Sequence, residues 1–286
     1  MGSLYGFEVK SEFPLFRLNS APGTRGTLTV EAAAPHRGDP TSVLVSDDGR
    51  IYYASHELNG HCLLELAPTG EFFLDPERGH VAVEWRDEDA DLLEHRIASS
   101  AICTLLAMRG DLVLHAAAVQ TGVGAVVFCG PTKRGKSTLA LTLGEAGHGV
   151  LGEDGIAISL GPEGPTAFSG ARGVRMRTGD QNGNPRTDLV PDPGPSEPPP
   201  CPVAAVVLLD ERSNALSVEP LEAARGLALL TPHLVHSGGR PAIGTAFGRL
   251  ARLLHTVPAF RASLPEDLDA LPAAARDLLD GTASRD

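Results

Sequence analysis

Short runs of alternating apolar and polar residues, separated by turn-forming residues, dominate the first third of the chain. Such alternation is typical of strands that bury one face. Between two of these runs lies Ser46-Asp47-Asp48-Gly49, which predicts a hairpin turn. We therefore predict strands over residues 27–34, 42–45, 51–54, 62–66 and 81–85.

The pattern changes to helical spacing at residues 89–108. Acidic residues occupy the first turn of this segment, and Gly110 lies just past its end, as expected at the two ends of a helix. We place a domain boundary in front of this helix. The chain then divides into a small β-rich N-terminal domain, residues 1–88, and a larger domain, residues 89–286.

The larger domain alternates buried strands with helices, which predicts the α/β class. A continuous apolar strand, a glycine-rich turn and a helix follow one another at its start, as in the first unit of a nucleotide-binding fold. The predicted strands are 112–114, 116–119, 125–129, 150–152, 157–160 and 203–209. The predicted helices are 137–146, 221–230, 243–254 and 265–279.

A proline-rich segment, residues 184–202, interrupts this alternation. Eight of the 18 residues from Pro185 to Pro202 are proline. This density predicts an extended, polyproline-like loop without a regular element. Its composition is that of a solvated linker or insertion. A long loop in a compact domain can also cover an active site, and both interpretations stay open.

Composition and charge narrow the function classes. The 286 residues are 42% hydrophobic and 21% charged, which indicates one or two globular domains. With 36 acidic and 24 basic residues the net charge is -12, so the chain lacks the overall basic character of a nucleic-acid binder. The four cysteines are widely spaced and predict neither disulfides nor a zinc site. With no signal peptide or membrane span, we expect a soluble cytoplasmic protein without a membrane partner.

The segment from Gly130 to Ser137 fits the phosphate-loop pattern G-x-x-x-x-G-K-[ST] and lies between a predicted strand and a predicted helix. In such a loop, backbone N–H groups and the helix start bind phosphate. Lys136 would neutralise the β- and γ-phosphates, and Ser137 would bind Mg²⁺. The predicted nucleotide-binding residues are Gly130, Thr132, Lys133, Arg134, Gly135, Lys136, Ser137 and Thr138.

Two carboxylates, Glu153 and Asp154, follow the strand predicted at 150–152. In a doubly wound sheet the C-terminal strand edge faces the ligand, so both acids should lie near the phosphates. One could hold Mg²⁺ while the other accepts a proton from an attacking hydroxyl. The alternative is an acidic turn without chemistry.

Residues 112–160 resemble the core of the HPr serine kinase/phosphorylase family, and more closely its relatives in peptide natural-product gene clusters, such as those of lasso peptides. The resemblance extends more weakly over about 110–280. The matching residues are His115, Gly130, Gly135, Lys136, Ser137, Thr138, Gly147, His148 and Asp154. The segment Gly170 to Met176 also resembles a family segment that carries an arginine, and Arg175 occupies that position.

The resemblance implies a phosphate-loop fold of the phosphoenolpyruvate-carboxykinase type. It implies transfer of the γ-phosphoryl group of ATP or GTP, with Mg²⁺, to a serine-type hydroxyl of a peptide, protein or small molecule. It is also compatible with a homo-oligomer. Glu153 takes the position of the family's proton acceptor, which is usually aspartate, and Asp154 that of a metal ligand. His115 would contact the phosphate or the base, and Arg175 would steady the transferred phosphate.

Other charged residues are assigned by their surroundings. Arg172 and Arg177 could assist Arg175, because a guanidinium binds phosphate through two parallel hydrogen bonds. His233 and His236 lack a third ligand, which favours a structural role. The run Glu94-His95-Arg96 on the helix at 89–108 is predicted to be a solvated face.

Two further functions stay open at this stage. In the first, the loop senses nucleotide in a regulatory module whose acidic pair has lost catalysis, and the glutamate at 153 is its support. In the second, the protein is a carboxykinase that acts on oxaloacetate. The sequence shows no transition-metal ligand set comparable to the one that this chemistry needs.

Overall fold

The computed structural model describes residues 2–33, 42–45, 51–66, 68–179, 185–190 and 198–283. For residues 42–45, 51–58, 175–179, 185–189, 239 and 283 the description covers the backbone alone. These residues form a mixed α/β protein, which confirms the predicted class.

The N-terminal part of the described chain forms an eight-stranded sheet in the order β1-β2-β3-β8-β7-β6-β5-β4. The strands are β1 (Gly2–Leu4), β2 (Phe7–Ser11), β3 (Thr27–Ala32), β4 (Ser42–Val45), β5 (Ile51–Leu58), β6 (His61–Leu66), β7 (Gly70–Asp75) and β8 (His80–Trp85). All five predicted strands are present. The turn at 46–49 lies outside the described residues, although β4 and β5 on either side of it pair antiparallel.

Three strands of this sheet were missed by the sequence analysis, namely β1, β2 and β7. In β7 the apolar pattern is broken by Glu71, which is buried and forms an ion pair with Arg86 at 2.7 Å. A buried carboxylate is tolerated because this guanidinium pairs with it. Pairing of this kind involves residues outside the strand and has no periodic signature.

The predicted helix at 89–108 is present in three parts: α1 (Ala90–His95), a π-helix (Arg96–Ile102) and α2 (Cys103–Arg109). Asp89 accepts a hydrogen bond from Leu92 N at its start, and Gly110, with φ 116°, ends it. Its apolar face belongs to the same buried cluster as the first sheet. The domain division at residues 88 and 89 stays a prediction.

The second sheet has the order β12-β10-β11-β17-β14-β13-β9 in the described chain, and β19 and β18 extend it beside β17. Its strands are β9 (Leu112–Leu114), β10 (Ala116–Thr121), β11 (Gly124–Cys129), β12 (Gly149–Gly152), β13 (Ile156–Gly161), β14 (Gly164–Phe168), β17 (Cys201–Leu209), β18 (Ser217–Pro220) and β19 (Ala259–Ser263). The sheet is mixed rather than all parallel: β11, β17 and β19 run in parallel, and β10 runs against β11.

Helices cover both faces of the second sheet. They are α3 (Lys136–Glu145), α4 (Ala223–Leu230), a 3₁₀ turn (Thr231–His233), α5 (Gly239–Thr256) and α6 (Leu271–Ala283). Leu139 of α3 and Leu278 of α6 belong to one buried cluster, whereas Leu230 of α4 and Leu250 of α5 belong to another. A sheet covered on both faces explains the continuous apolar runs of its central strands.

Two predictions about the second half were wrong. Residues 185–190 of the proline-rich segment form a strand, β16 (Pro185–Val190), which pairs antiparallel with β15 (Val174–Gly179). Pro185 is the first residue of that strand, where proline is tolerated, and the next proline follows only after its end. The helix predicted at 265–279 begins at Leu271, with Pro272 in its first turn.

Several residues that the sequence predicted to be functional lie at one end of the strands of the second sheet. Strands β11 and β12 both run antiparallel to β10, so they end at the edge where β10 begins. Strands β17 and β19 end there too, because they run parallel to β11. His115 precedes β10, and Gly130 and Glu153 follow β11 and β12.

Candidate active site

The glycine-rich segment from Gly130 to Gly135 connects the end of β11 with the start of α3. Both glycines have positive φ, 147° and 97°. A Cβ at Gly130 would lie 2.7 Å from the carbonyl oxygen of Leu209, and one at Gly135 would lie 2.9 Å from the Arg212 guanidinium. The tight turn therefore requires glycine at both positions.

Lys136 begins α3 and is buried within this loop. Its Nζ donates hydrogen bonds to the carbonyl oxygens of Gly130 at 2.7 Å and Pro131 at 3.3 Å. Burial lowers the pKa of the ammonium, and the charges of Asp154 and Glu153 oppose that shift. Both acids therefore act electrostatically on Lys136, and the catalytic and binding roles of the three residues stay predictions.

The remaining loop residues are accessible. Thr132 and Lys133 are exposed, and Lys133 has the left-handed φ of 68°. Arg134 forms an ion pair with the exposed Glu211 at 2.9 Å. Ser137 and Thr138 are half-buried in the first turn of α3. Helix starts present unpaired N–H groups, so this end of α3 suits an anion.

The two acids differ in exposure. Glu153 is buried, at 8% exposure, whereas the Asp154 side chain is 33% exposed. Asp154 has a φ of 60°, a left-handed conformation that is uncommon for residues other than glycine. The Nδ1 atom of His115 lies 3.1 Å from the Asp154 carbonyl oxygen. A carbonyl oxygen only accepts, so the N–H of Nδ1 is the donor of this hydrogen bond.

Tyr5, between β1 and β2 at the N-terminus, and Cys103, from α2, lie against the acidic turn. The fully buried Tyr5 hydroxyl donates to the Gly155 carbonyl at 3.2 Å and lies 3.2 Å from the Cys103 sulfur. Burial and the neighbouring Cys103 raise the pKa of Tyr5 well above its ordinary value. The tyrosine is therefore a neutral donor. The sequence predicted no role at this site for Tyr5 or Cys103, because each is an isolated residue that lies far from the acidic turn in sequence.

The run Glu94-His95-Arg96 is not a solvated face, so that prediction was wrong. Glu94 is buried and accepts a hydrogen bond from Arg17 N at 2.5 Å, and burial raises its pKa. His95 is 14% exposed, and its Nε2 lies 3.5 Å from Asp154 Oδ2. The chain near Arg17 covers Glu94, and the acidic turn lies beside His95, so these two side chains contact protein rather than water.

His233, predicted to be structural, lies beside the candidate site. Its carbonyl oxygen accepts a hydrogen bond from His115 N at 2.7 Å. Burial, together with the charges of Lys136 and His115, lowers the pKa of its ring to about 4. A single buried histidine has no spacing signal, which is why the sequence indicated only a structural role for His233. His236 accepts a hydrogen bond from Gly238 N at 3.0 Å and stays a structural prediction.

Of the three arginines that the sequence indicated, the structure describes the side chain of Arg172 and only the backbone of the other two. Arg172 is exposed, and its carbonyl accepts a hydrogen bond from Arg17. Arg175 and Arg177 lie on β15, and their side chains are outside the described residues.

Two acids that the sequence did not indicate, Asp210 and Glu211, follow β17 at the sheet edge where the glycine-rich loop lies. The signal that indicated Glu153 and Asp154, a buried strand ending in two acids, could have found them.

All four cysteines are buried and none forms a disulfide. Within the described residues, no group of three or more His, Cys, Asp or Glu side chains could hold a metal ion. Mg²⁺ does not require one, because it is bound through one or two carboxylates plus water and substrate phosphates. The partly exposed Asp154 carboxylate, with the Ser137 hydroxyl, fits that donor chemistry.

No protein-family model matches this chain, and no curated protein sequence matches it. Among solved structures, the HPr(Ser) kinase/phosphatase from Coxiella burnetii is 14% identical to it. The alignment covers 59% of this chain and 88% of that one, with a TM-score of 0.35. A TM-score this low does not establish a common fold, so the function rests on this chain's own residues. Across the described residues, no helix is long and apolar enough to cross a membrane.

Proposed function

We propose that the protein is a kinase that transfers the γ-phosphoryl group of ATP or GTP to a hydroxyl. The acceptor would be a serine-type hydroxyl of a peptide, protein or small molecule in the cytoplasm of a bacterium, within a biosynthetic pathway. The observation that carries the proposal is the glycine-rich loop between β11 and α3, with Lys136 inside it and Asp154 within its electrostatic range. This is the arrangement that phosphoryl transfer needs.

In this proposal the loop residues and the start of α3 bind the phosphates. Lys136 exchanges its loop carbonyls for phosphate oxygens, and Ser137 and Asp154 hold Mg²⁺, which neutralises charge on the phosphates. Glu153 accepts the proton of the attacking hydroxyl, His115 orients it through the exposed side of its ring, and Arg175 steadies the transferred group. Phosphoryl transfer depends mainly on positioning and charge neutralisation, which these groups supply.

The test is mass spectrometry of candidate acceptors after incubation with Mg-ATP. The acceptors are serine-containing peptides encoded beside the gene and a panel of small hydroxyl compounds. We expect a phosphoryl-sized mass gain with the wild type and none with Lys136→Ala. Glu153→Gln should abolish transfer while nucleotide binding continues. Full turnover by Glu153→Gln would show that another group is the proton acceptor.

A nucleotide-binding regulatory module without transfer is the second candidate. It is favoured by the burial of Glu153, at 8% exposure, because a buried carboxylate has restricted access to an acceptor hydroxyl. This candidate predicts nucleotide binding that depends on Lys136 but yields no phosphorylated product with any neighbouring peptide. Measuring ATP binding in the same preparations separates the two functions.

A further inference from the structure

His95 lies where the helical segment after the first sheet reaches the acidic turn. Its Nε2 atom is 3.5 Å from Asp154 Oδ2, and its side chain is largely buried. The Nδ1 atom of His115 lies 3.9 Å from the other oxygen, Oδ1. Each carboxylate oxygen of Asp154 therefore has one imidazole nitrogen within 4 Å.

The backbone around His95 has an unusual conformation. His95 ends α1, and the seven-residue π-helix Arg96–Ile102 begins directly after it. A π-helix is rare and occurs frequently at functional sites. Ser99 Oγ donates to the His95 carbonyl at 2.6 Å and lies 3.3 Å from Nδ1 and 3.4 Å from Nε2 of the ring. A residue of the π-helix therefore contacts both the backbone and the ring of His95.

The backbone of Asp154 is fixed separately from its side chain. Its left-handed φ of 60° carries strain, which persists only where surrounding contacts impose it. His115 Nδ1 contacts its carbonyl, and the Tyr5 hydroxyl donates to the next carbonyl, that of Gly155. These contacts hold the backbone of the turn, and His95 is the imidazole that approaches the carboxylate itself more closely.

We propose that His95 is a positioning residue that orients the Asp154 carboxylate for Mg²⁺, an inference that rests on the proposed function. A carboxylate only accepts hydrogen bonds, so in this role Nε2 carries the proton and donates to Asp154 Oδ2. Side chains that hold a metal-binding carboxylate from outside typically contribute a factor of about 10 to 100 in metal affinity. His95 touches neither nucleotide nor acceptor in this arrangement, so it acts through Asp154.

The test measures ATP binding by calorimetry as a function of Mg²⁺ concentration. The variants are His95→Ala, His95→Gln, which keeps a side-chain N–H donor, and the control His255→Gln, an exposed histidine in the last turn of α5. We expect the Mg²⁺ concentration for half-maximal effect to rise about tenfold in His95→Ala. It should recover partly in His95→Gln and stay unchanged in the control. ATP binding without Mg²⁺ should stay at the wild-type value in all variants, whatever stability the truncation of the largely buried ring costs.

Two results would overturn the proposal. One is wild-type Mg²⁺ dependence in His95→Ala. The other is an equal loss of ATP binding with and without Mg²⁺, accompanied by a lower melting temperature, which would show a purely structural role. If the wild type does not bind ATP, the proposed function fails by itself. Binding of Mn²⁺ alone, followed by electron paramagnetic resonance, then decides on His95, because equal affinities of wild type and His95→Ala contradict its role.

Discussion

The glycine-rich loop and the acidic turn at Glu153–Gly155 lie at the same sheet edge, but different parts of the chain hold them. Lys136 contacts carbonyls five and six residues away in its own loop. The acidic turn is contacted by Tyr5 and His115, which lie 150 and 39 residues away from their partners in it. The loop is determined locally, whereas the turn is determined by tertiary structure.

Because of this difference, the two regions need different parts of the protein in order to form. The side-chain hydrogen bonds of Lys136 are local, although Leu209 and Arg212 pack against the two glycines of the loop. The turn forms only when the first sheet and the helix after it have packed against the second sheet. Substitutions around the turn should therefore cost more folding free energy than substitutions on the loop surface, and four variants test this in order of expected effect.

The largest effect is expected at His233, whose backbone contacts His115 and whose ring is in electrostatic range of Lys136. Its pKa is lowered from 6.5 to about 4 in the folded protein. Between these values the unfolded chain binds the proton and the folded protein does not. The stability is therefore complete above pH 6.5 and is lost as the pH falls toward 4, by up to about 3 kcal/mol.

Urea unfolding of wild type and His233→Gln at pH 7.5, 5.5 and 4.5 measures this slope. The variant should lack the part of the slope that His233 contributes, while the exposed-residue variant His255→Gln keeps it. If the free energies of unfolding of wild type and His233→Gln changed equally with pH, His233 would not be held in its neutral form in the folded protein.

The second effect is steric and concerns the acidic turn. A Cβ at Gly155 would lie 2.3 Å from the Cys103 sulfur, so Gly155→Ala overpacks the contact between the turn and α2. We expect a loss of about 2 kcal/mol in urea unfolding. Gly161→Ala is the matched control, because nothing lies within 4 Å of a Cβ at that position.

A double-mutant cycle identifies the cause of that loss. In the Cys103→Ala background the sulfur is absent, and the nearest Cys103 atom to the new Cβ is its own Cβ at 3.6 Å. Adding Gly155→Ala to this background should therefore cost much less than adding it to wild type. Additive losses would mean that the sulfur is not what restricts the turn.

The same difference explains which parts were predictable from sequence. The loop, the strands β9 to β11 and the helix α3 were predicted because their signals lie in consecutive residues. The acids after β12 were predicted from the same kind of signal. The contacts of Tyr5 and His95 with the turn, and of His233 with His115, were not, because each of the three belongs to an element whose own periodicity gives no indication of the partner it meets. Strand β16 was missed because prolines beyond its end dominated the composition of that segment.

The third variant, Tyr5→Phe, removes one hydroxyl beneath the turn without changing the ring. The Gly155 carbonyl then loses its donor in a buried position, which costs about 1 kcal/mol in urea unfolding. The loop does not depend on this contact, so ATP binding without Mg²⁺ should be unchanged while the Mg²⁺ requirement rises. A parallel loss of both would contradict the separation of the two regions.

The smallest effect is expected from Arg134→Ala, on the loop surface. The ion pair of Arg134 with Glu211 joins residues 77 positions apart, but the two side chains are 32% and 77% exposed. Exposed pairs of this kind contribute about 0.5 kcal/mol or less, because water and salt screen them. Urea unfolding in 0.1 M and 1 M NaCl should give nearly equal stabilities for wild type and variant at the higher salt. A loss above about 1 kcal/mol at both concentrations would mean that a distant residue holds the loop as well, and the distinction between a local loop and a tertiary turn would fail.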